Sequence, residues 1–269
     1  MGENVVILGG GNVAFDCART AVRLGASKVD LACLEDKPNM LADEEEISQA
    51  AEEGVEIHPS STFERICGTK KVRGVEFCKV KKFSFDENHR AVIEKDQDSS
   101  YVIEADTVIF AVGQRPAIGE EAGLTLGRGN SIVVNENTHK TSAEGVFACG
   151  DVIYGTKTVI AAVDSGRQAA SEIDRFLGGS GDISEVLVPR EKDEPGIGKV
   201  ENFGDLGRAE EEILLSKERQ NSFVPVSGGI CDSDICKEAG RCLQCDLRFD
   251  IHKDRLWSDY SEQEMEEVR

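Results

Sequence analysis

Asn4-Val5-Val6-Ile7-Leu8-Gly9-Gly10-Gly11-Asn12-Val13-Ala14 is the stretch that decides the fold of this chain. A short apolar run enters a glycine turn, and the turn enters a helix. The helix is predicted over Phe15–Leu24, where Cys17, Ala18, Ala21 and Leu24 recur at helical spacing. Gly25 follows as a helix stop. Gly9, Gly11 and Ala14 fit the G-x-G-x-x-G/A pattern of a dinucleotide-binding turn. The first glycine allows the tight turn, the second lets backbone approach a pyrophosphate, and small Ala14 lets helix and strand pack closely. Free N–H groups at the helix start then face the phosphates. The cradle is assigned to Gly9, Gly10, Gly11, Asn12 and Val13.

Val29–Leu34 reads as the next parallel strand, and Glu35 ends it, 24 residues beyond Gly11. An acid there accepts hydrogen bonds from ribose hydroxyls and repels a 2′-phosphate, so NAD(H) is favoured over NADP(H). The blander reading of Glu35 is a surface acid at the head of an acidic stretch.

Composition narrows the class. The chain has 269 residues, 39% apolar and 30% charged, with a formal net charge of -20. That charge argues against nucleic acid or an anionic membrane as partner. Its simplest reading is solubility. No apolar run of spanning length and no signal peptide is evident, which predicts a cytoplasmic protein. Nine cysteines, an odd number, point to a reducing compartment rather than a disulfide framework.

Further along, Asp43–Glu53 predicts an acidic helix and Val55–His58 a short strand. Phe63–Glu104 predicts antiparallel strands, with a hairpin across Asp86–His89. Ala105–Gly113 is a near-continuous apolar run, the pattern of a buried parallel strand, and Gly113 opens the turn to Pro116. Ile132–Val134 and Val146–Asp151 read as two more strands, Val159–Leu177 as a long helix, and Arg208–Lys217 as a short amphipathic helix. His58, His89 and His139 read as surface residues.

With these pieces in order, the chain resembles the glutamate synthase small-subunit type of flavin- and pyridine-nucleotide-dependent oxidoreductase. Val5–Ala26, Val108–Pro116, Thr141–Asp151, Lys157–Leu177 and Glu238–Leu247 carry the likeness. It implies an α/β, Rossmann-like nucleotide-binding domain with an antiparallel crossover meander, followed by the C-terminal part of an FAD domain and a Cys-rich tail. The implied division is 1–112 for NAD(H), 113–180 for the FAD segment, 181–230 for a linker and 231–269 for the tail. Gly113, Gly150 and Asp151 are implied cofactor contacts, and the helix beginning at Thr158 and Val159 would aim its N-terminus at the flavin. The family also has an N-terminal segment with a glycine turn of its own for FAD. Met1 here opens directly on the nucleotide domain, so the flavin site is expected to be completed by another chain or segment. NADPH-using members carry arginines near the end of the second strand, where Leu34 and Glu35 stand here.

Cys231, Cys236, Cys242 and Cys245 are spaced C-x4-C-x5-C-x2-C. Four close thiolates suit one [4Fe–4S] cluster or one zinc ion, and a flavin setting favours the cluster. Cys17, Cys33, Cys67, Cys78 and Cys149 read as small buried or singly placed residues. The function that follows is an electron-transfer module linking NAD(H), flavin and an iron–sulfur cluster, with other redox subunits as partners. No acid–base catalyst is evident. The competing readings are a non-catalytic interaction subunit that retains the fold, with zinc or no metal at the cysteines, and a zinc-stabilised nucleotide sensor.

Overall fold

The computed structural model describes residues 2–86, 91–184 and 201–242. Two compact units divide the chain, one comprising residues 1–187 with 220–222 and the other the remainder.

The first unit is built on a four-stranded parallel sheet of β1 (Asn4–Leu8), β2 (Lys28–Ala32), β3 (Glu56–His58) and β7 (Thr107–Phe110), in the order β3-β2-β1-β7. Helix α1 (Asn12–Arg23) joins β1 to β2, and α2 (Glu44–Glu52) joins β2 to β3. Between β3 and β7 the chain makes an antiparallel sheet of β4 (Ser61–Cys67), β5 (Gly74–Phe85) and β6 (Ala91–Glu104), in that order. The predicted meander is therefore present. The expected strand 101–104 is the end of β6, and His89 lies outside the described residues.

Strand alternation explains why β1 is apolar throughout. Val5 and Ile7 pack with Val29, Leu31, Ala14, Phe15 and Ala18 on the helical side. Val6 and Leu8 pack with Ala32, Val75, Phe77 and Ile103 against the meander. Both faces of the strand are thereby removed from water. Each of these aliphatic side chains contributes about 1.5–3 kcal/mol by full burial.

Helix α1 begins earlier than predicted, at Asn12, with Gly11 as its N-cap. It ends in a Schellman arrangement. Ala26 N–H donates to Ala21 O at 3.1 Å and Gly25 N–H to Val22 O at 2.9 Å, with Gly25 at φ 87°.

Four expectations are corrected. Strand β7 is not deeply buried, because it lies at the sheet edge, and Phe110 is 52% exposed. Ile132–Val134 and Val146–Asp151 are not strands. Ile132 and Phe147 make isolated bridges to Leu126 and Lys140, and Asp151 instead opens the short helix α3 (Asp151–Tyr154). A strand needs a neighbouring ladder, and the described residues provide none there. The long helix is present as α4 (Val159–Phe176). Arg208–Lys217 is not a helix: Leu214 N–H donates to Val226 O at 2.8 Å in a small hairpin, and only α5 (Ser216–Arg219) is helical.

The hairpin belongs to the second unit, together with α6 (Asp232–Gly240). There Ala209 N–H and the Arg241 guanidinium donate to Glu238, at 2.6 Å each. Those donors hold the Glu238 carboxyl below the usual carboxylate range, the Ala209 N–H having the larger effect.

Two histidines also depart from expectation. His139 is buried at φ 54°, with Nε2 3.1 Å from Gln168 Oε1 on α4. His58 is half-buried, with Nε2 2.8 Å from Asp30 Oδ1. Neither is the surface residue expected, because each sits beside an element distant in sequence.

Candidate functional site

Parallel pairing brings the carboxyl ends of β1, β2 and β7 to one edge of the sheet. The Gly9–Gly11 turn, Glu35 and Gly113 all follow those ends. This is the end at which open α/β sheets bind ligands.

The three glycines of the turn have different reasons to be glycine. Gly9 lies at φ 142°, and a Cβ there would sit 2.3 Å from Ala111 O. It is therefore a conformational and a close-approach position at once. A Cβ on Gly10 would lie 2.7 Å from Cys33 Cβ and 2.9 Å from Glu35 Oε2. A Cβ on Gly11 would meet nothing within 4 Å, so this position opens onto free space above the helix start. Ala14 is fully buried against β1, as close helix–strand packing requires. Ala14 and Phe15 N–H both reach Gly11 O, at 2.9 and 3.4 Å. The helix geometry leaves the N–H groups of Asn12 and Val13 without an intrahelical acceptor. The turn thus combines open space with oriented donors, which is what a pyrophosphate needs.

Glu35 borders this turn directly, as its contact with the Gly10 position shows. Its backbone oxygen accepts from Ser60 N–H at 2.8 Å, which anchors the loop after β2. Burial, together with the Glu35 charge, pushes the Cys33 thiol up to about 12. Cys33 is accordingly a packing residue and not a nucleophile.

One participant escaped the sequence reading. Asp43, the N-cap residue of α2, pairs with Asn12 at the glycine turn through two hydrogen bonds. The only local hint is an aspartate before the acidic run Glu44-Glu45-Glu46, which reads as a helix start and nothing more.

Gly150, Asp151, Thr158 and Val159 lie in a separate local structure of the same unit. Gly150 has φ 72° and its N–H donates to the buried Ser165 hydroxyl at 2.7 Å. Asp151 is exposed at the start of α3. Thr158 caps α4 by accepting from Ala161 N–H at 3.2 Å. The first two residues of α4 are apolar yet 80% and 81% exposed, at Val159 and Ile160. A cavity of about 520 Å³ opens nearby, lined by residues that include Ile132, His139, Tyr154 and Ser165.

Cys231 is the N-cap of α6, its thiol 3.2 Å from Asp234 Oδ2. Cys236 lies within that helix and Cys242 just beyond it, while Cys245 lies outside the described residues. The sulfurs of the three described cysteines do not all lie within 4.8 Å of one another. The three described cysteines are thus not gathered as a ligand set in this structure.

The family model described as pyridine nucleotide-disulphide oxidoreductase matches residues 1–166. The chain belongs to this family. The match begins at residue 1, takes in the Gly9–Gly11 turn and ends within α4. Within the family the chain is glutamate synthase small-subunit-like. It is 35% identical over 179 residues to the glutamate synthase [NADPH] small chain of Azospirillum brasilense, covering 65% of this chain and 37% of that one. It is 31% identical over 252 residues to the NADP(+)-dependent formate dehydrogenase subunit beta of Moorella thermoacetica, covering 91% and 36%. It is 30% identical over 282 residues to the NADPH-Fe(3+) oxidoreductase subunit beta of Geobacter sulfurreducens, covering 91% and 41%. The chain therefore spans well under half the length of these relatives. The fold is shared with T. acidophilum thioredoxin reductase at a TM-score of 0.50 and 24% identity, over 65% of this chain and 53% of that one. FprA of Mycobacterium tuberculosis shares it at a TM-score of 0.53 and 14% identity, over 66% and 53%. Among the described residues no helix is long and apolar enough to cross a membrane.

Proposed function

We propose that this chain is the nicotinamide-binding module of a cytoplasmic flavin oxidoreductase, moving electrons between NAD(H) and a larger redox assembly. The single observation that carries this is the turn at β1. It unites a glycine whose Cβ position is open, two free helix N–H groups and an acid at the end of β2. Gly9, Gly10, Gly11, Asn12 and Val13 hold the pyrophosphate, Glu35 accepts the ribose hydroxyls, and Gly113 borders the site from the end of β7. The relatives cited above are named for NADPH or NADP(+), while Glu35 would repel a 2′-phosphate here. NAD(H) is accordingly the proposed nucleotide.

The residues of the second segment suit FAD. Gly150 keeps the turn free of a side chain, Asp151 would offer its exposed carboxylate to ribityl or ribose hydroxyls, and the helix begun by Thr158 and Val159 would present its positive end to the flavin. Flavin, when bound, supplies the capacity to take a hydride as two electrons and pass them singly. The protein's task is placement of the two rings and exclusion of water, so no acid–base residue is needed. Exposed Val159 and Ile160 support a further segment or chain that covers this face and completes the flavin site. The division proposed is 1–112, 113–180, 181–230 and 231–269.

Cys231, Cys236, Cys242 and Cys245 are the proposed metal ligands, a [4Fe–4S] cluster ahead of zinc. Their spacing supports this. So does the reach of the likeness to two redox-enzyme beta subunits over 91% of the chain. Other redox subunits are the proposed partners. The test is anaerobic purification of the native assembly, followed by addition of NADH. Flavin bleaching with iron present is the expected result. An assembly that holds neither flavin nor iron would leave the chain a non-catalytic interaction subunit.

A further inference from the structure

Three side chains at one edge of the parallel sheet converge at a place the nucleotide site does not use. Glu56 and His58 are two apart on β3, so they share a face. Asp30 on β2 is the register partner of Glu56, and Ala32 that of His58. His58 Nε2 lies 2.8 Å from Asp30 Oδ1 and 3.8 Å from Glu56 Oε1. One donor atom from each of the three lies within 4.8 Å of the others. The ammonium of Lys28 reaches into the same group, 3.2 Å from Asp30 Oδ1 and 3.4 Å from Glu56 Oε2.

A purely structural ion-pair network accounts for this group incompletely. The Asp30 side chain is 0% exposed, and its Oδ2 has no hydrogen-bond partner. A buried carboxylate oxygen left unsatisfied is costly, and such atoms call for a ligand.

We propose that Asp30, Glu56 and His58 form a binding site for a divalent transition-metal ion of the zinc class, for which the Lys28 ammonium competes. One imidazole and two carboxylates suit zinc-class ions over magnesium or calcium. Tetrahedral bonds of about 2.0–2.1 Å set donor atoms about 3.3 Å apart. The observed 2.8 and 3.8 Å separations from His58 Nε2 bracket that value, and the third pair of donor atoms lies within 4.8 Å. All three ligands lie on the paired strands β2 and β3 rather than on a loop, which favours a precise site. The Glu56 side chain is 57% exposed, so an ion has an entry path and a water can take the fourth position. The site stands independently of the nucleotide reading.

The test uses the full chain with Cys231, Cys236, Cys242 and Cys245 all changed to Ser, so that the tail cannot ligate. Co²⁺ is titrated and then displaced with Zn²⁺. One Co²⁺ per chain is expected, with the visible absorbance of a four-coordinate nitrogen–oxygen site and no thiolate charge-transfer band. Lys28→Met is expected to tighten Co²⁺ binding about tenfold or more, and His58→Ala to weaken it by a similar factor. Circular dichroism checks that each variant is folded. Should His58→Ala fail to fold, the half-exposed Lys28→Met decides alone. Unchanged affinity in Lys28→Met, or a spectrum carrying a thiolate band, would overturn the assignment.

Discussion

Asn12 and Asp43 lock the glycine turn to the second helix. The Asn12 amide donates to Asp43 Oδ2 at 2.9 Å, and Asn12 Oδ1 accepts from the Asp43 backbone N–H at 2.9 Å. One side chain thus satisfies a free donor at the start of α2 and fixes the first residue of α1. Asn12→Ala is expected to lower stability by about 0.5–1.5 kcal/mol and to weaken NADH binding. Urea unfolding and calorimetric titration of the same preparation measure the two effects. A stable variant with unaltered NADH affinity would remove Asn12 from the site.

Gly9 and Gly11 should separate folding from binding. Gly9→Ala forces a side chain into the left-handed region and against Ala111 O, so it is expected to cost about 1–3 kcal/mol or more. Gly11 has φ −90° and open space around it, so Gly11→Ala should fold normally. Its methyl group would stand where the pyrophosphate approaches. Thermal unfolding without ligand should therefore be unchanged, while the protection given by NADH should vanish.

Glu35→Arg exchanges a 2′-phosphate repeller for a partner. Native protein should bind NADH more tightly than NADPH, and the variant should close or reverse that gap. A tenfold change in the ratio corresponds to about 1.4 kcal/mol. Equal native affinities for the two nucleotides would defeat the NAD assignment.

Asp106 gives the sheet an acid-sensitive tie. Its Oδ2 accepts from Glu3 N–H at 2.8 Å and Asn4 N–H at 3.0 Å. These donors, the Asn4 N–H foremost, and the Thr107 hydroxyl hold the Asp106 carboxyl below the ordinary aspartate value. A depressed carboxyl contributes stability above its unfolded value of about 3.9 and loses it as pH falls further. The melting temperatures of native protein and Asp106→Asn should differ at pH 6, and the gap should narrow progressively as pH falls below about 4. A constant difference across that range would refute the linkage.

Arg19 is a buried cation on the inner face of α1. It donates to Glu53 Oε1 from Nη2 at 2.9 Å and to Glu46 Oε2 from Nη1 at 2.6 Å. Arg19→Ala removes two guanidinium hydrogen bonds from the buried Glu53 carboxylate, and should cost about 3–5 kcal/mol. Urea unfolding of the native protein and the variant measures the loss.

The sequence by itself determined the elements whose causes are local. Apolar Val5–Leu8, the glycines after it and the helical spacing of Ala18 and Ala21 place strand, turn and helix within one short stretch, with the helix start misjudged by one turn. Glu35 was legible because its distance from the turn is set by one helix and one strand. The alternation in residues 74–104 likewise foretold the meander. Tertiary structure decided everything that depends on which strand lies beside which. The run at residues 107–110 looks fully buried in sequence, yet edge position leaves Phe110 half in water. Ile132–Val134 has the residues of a strand but only an isolated bridge, from Ile132 to Leu126, and no ladder among the described residues. Asp30, Glu56 and His58 are unremarked until parallel pairing sets β3 beside β2, and Asp43 is a plain helix cap until α2 docks beside Asn12. Burial and side-chain partnership are properties of neighbours in space, and residues 28 or 31 positions apart become neighbours only when the sheet forms.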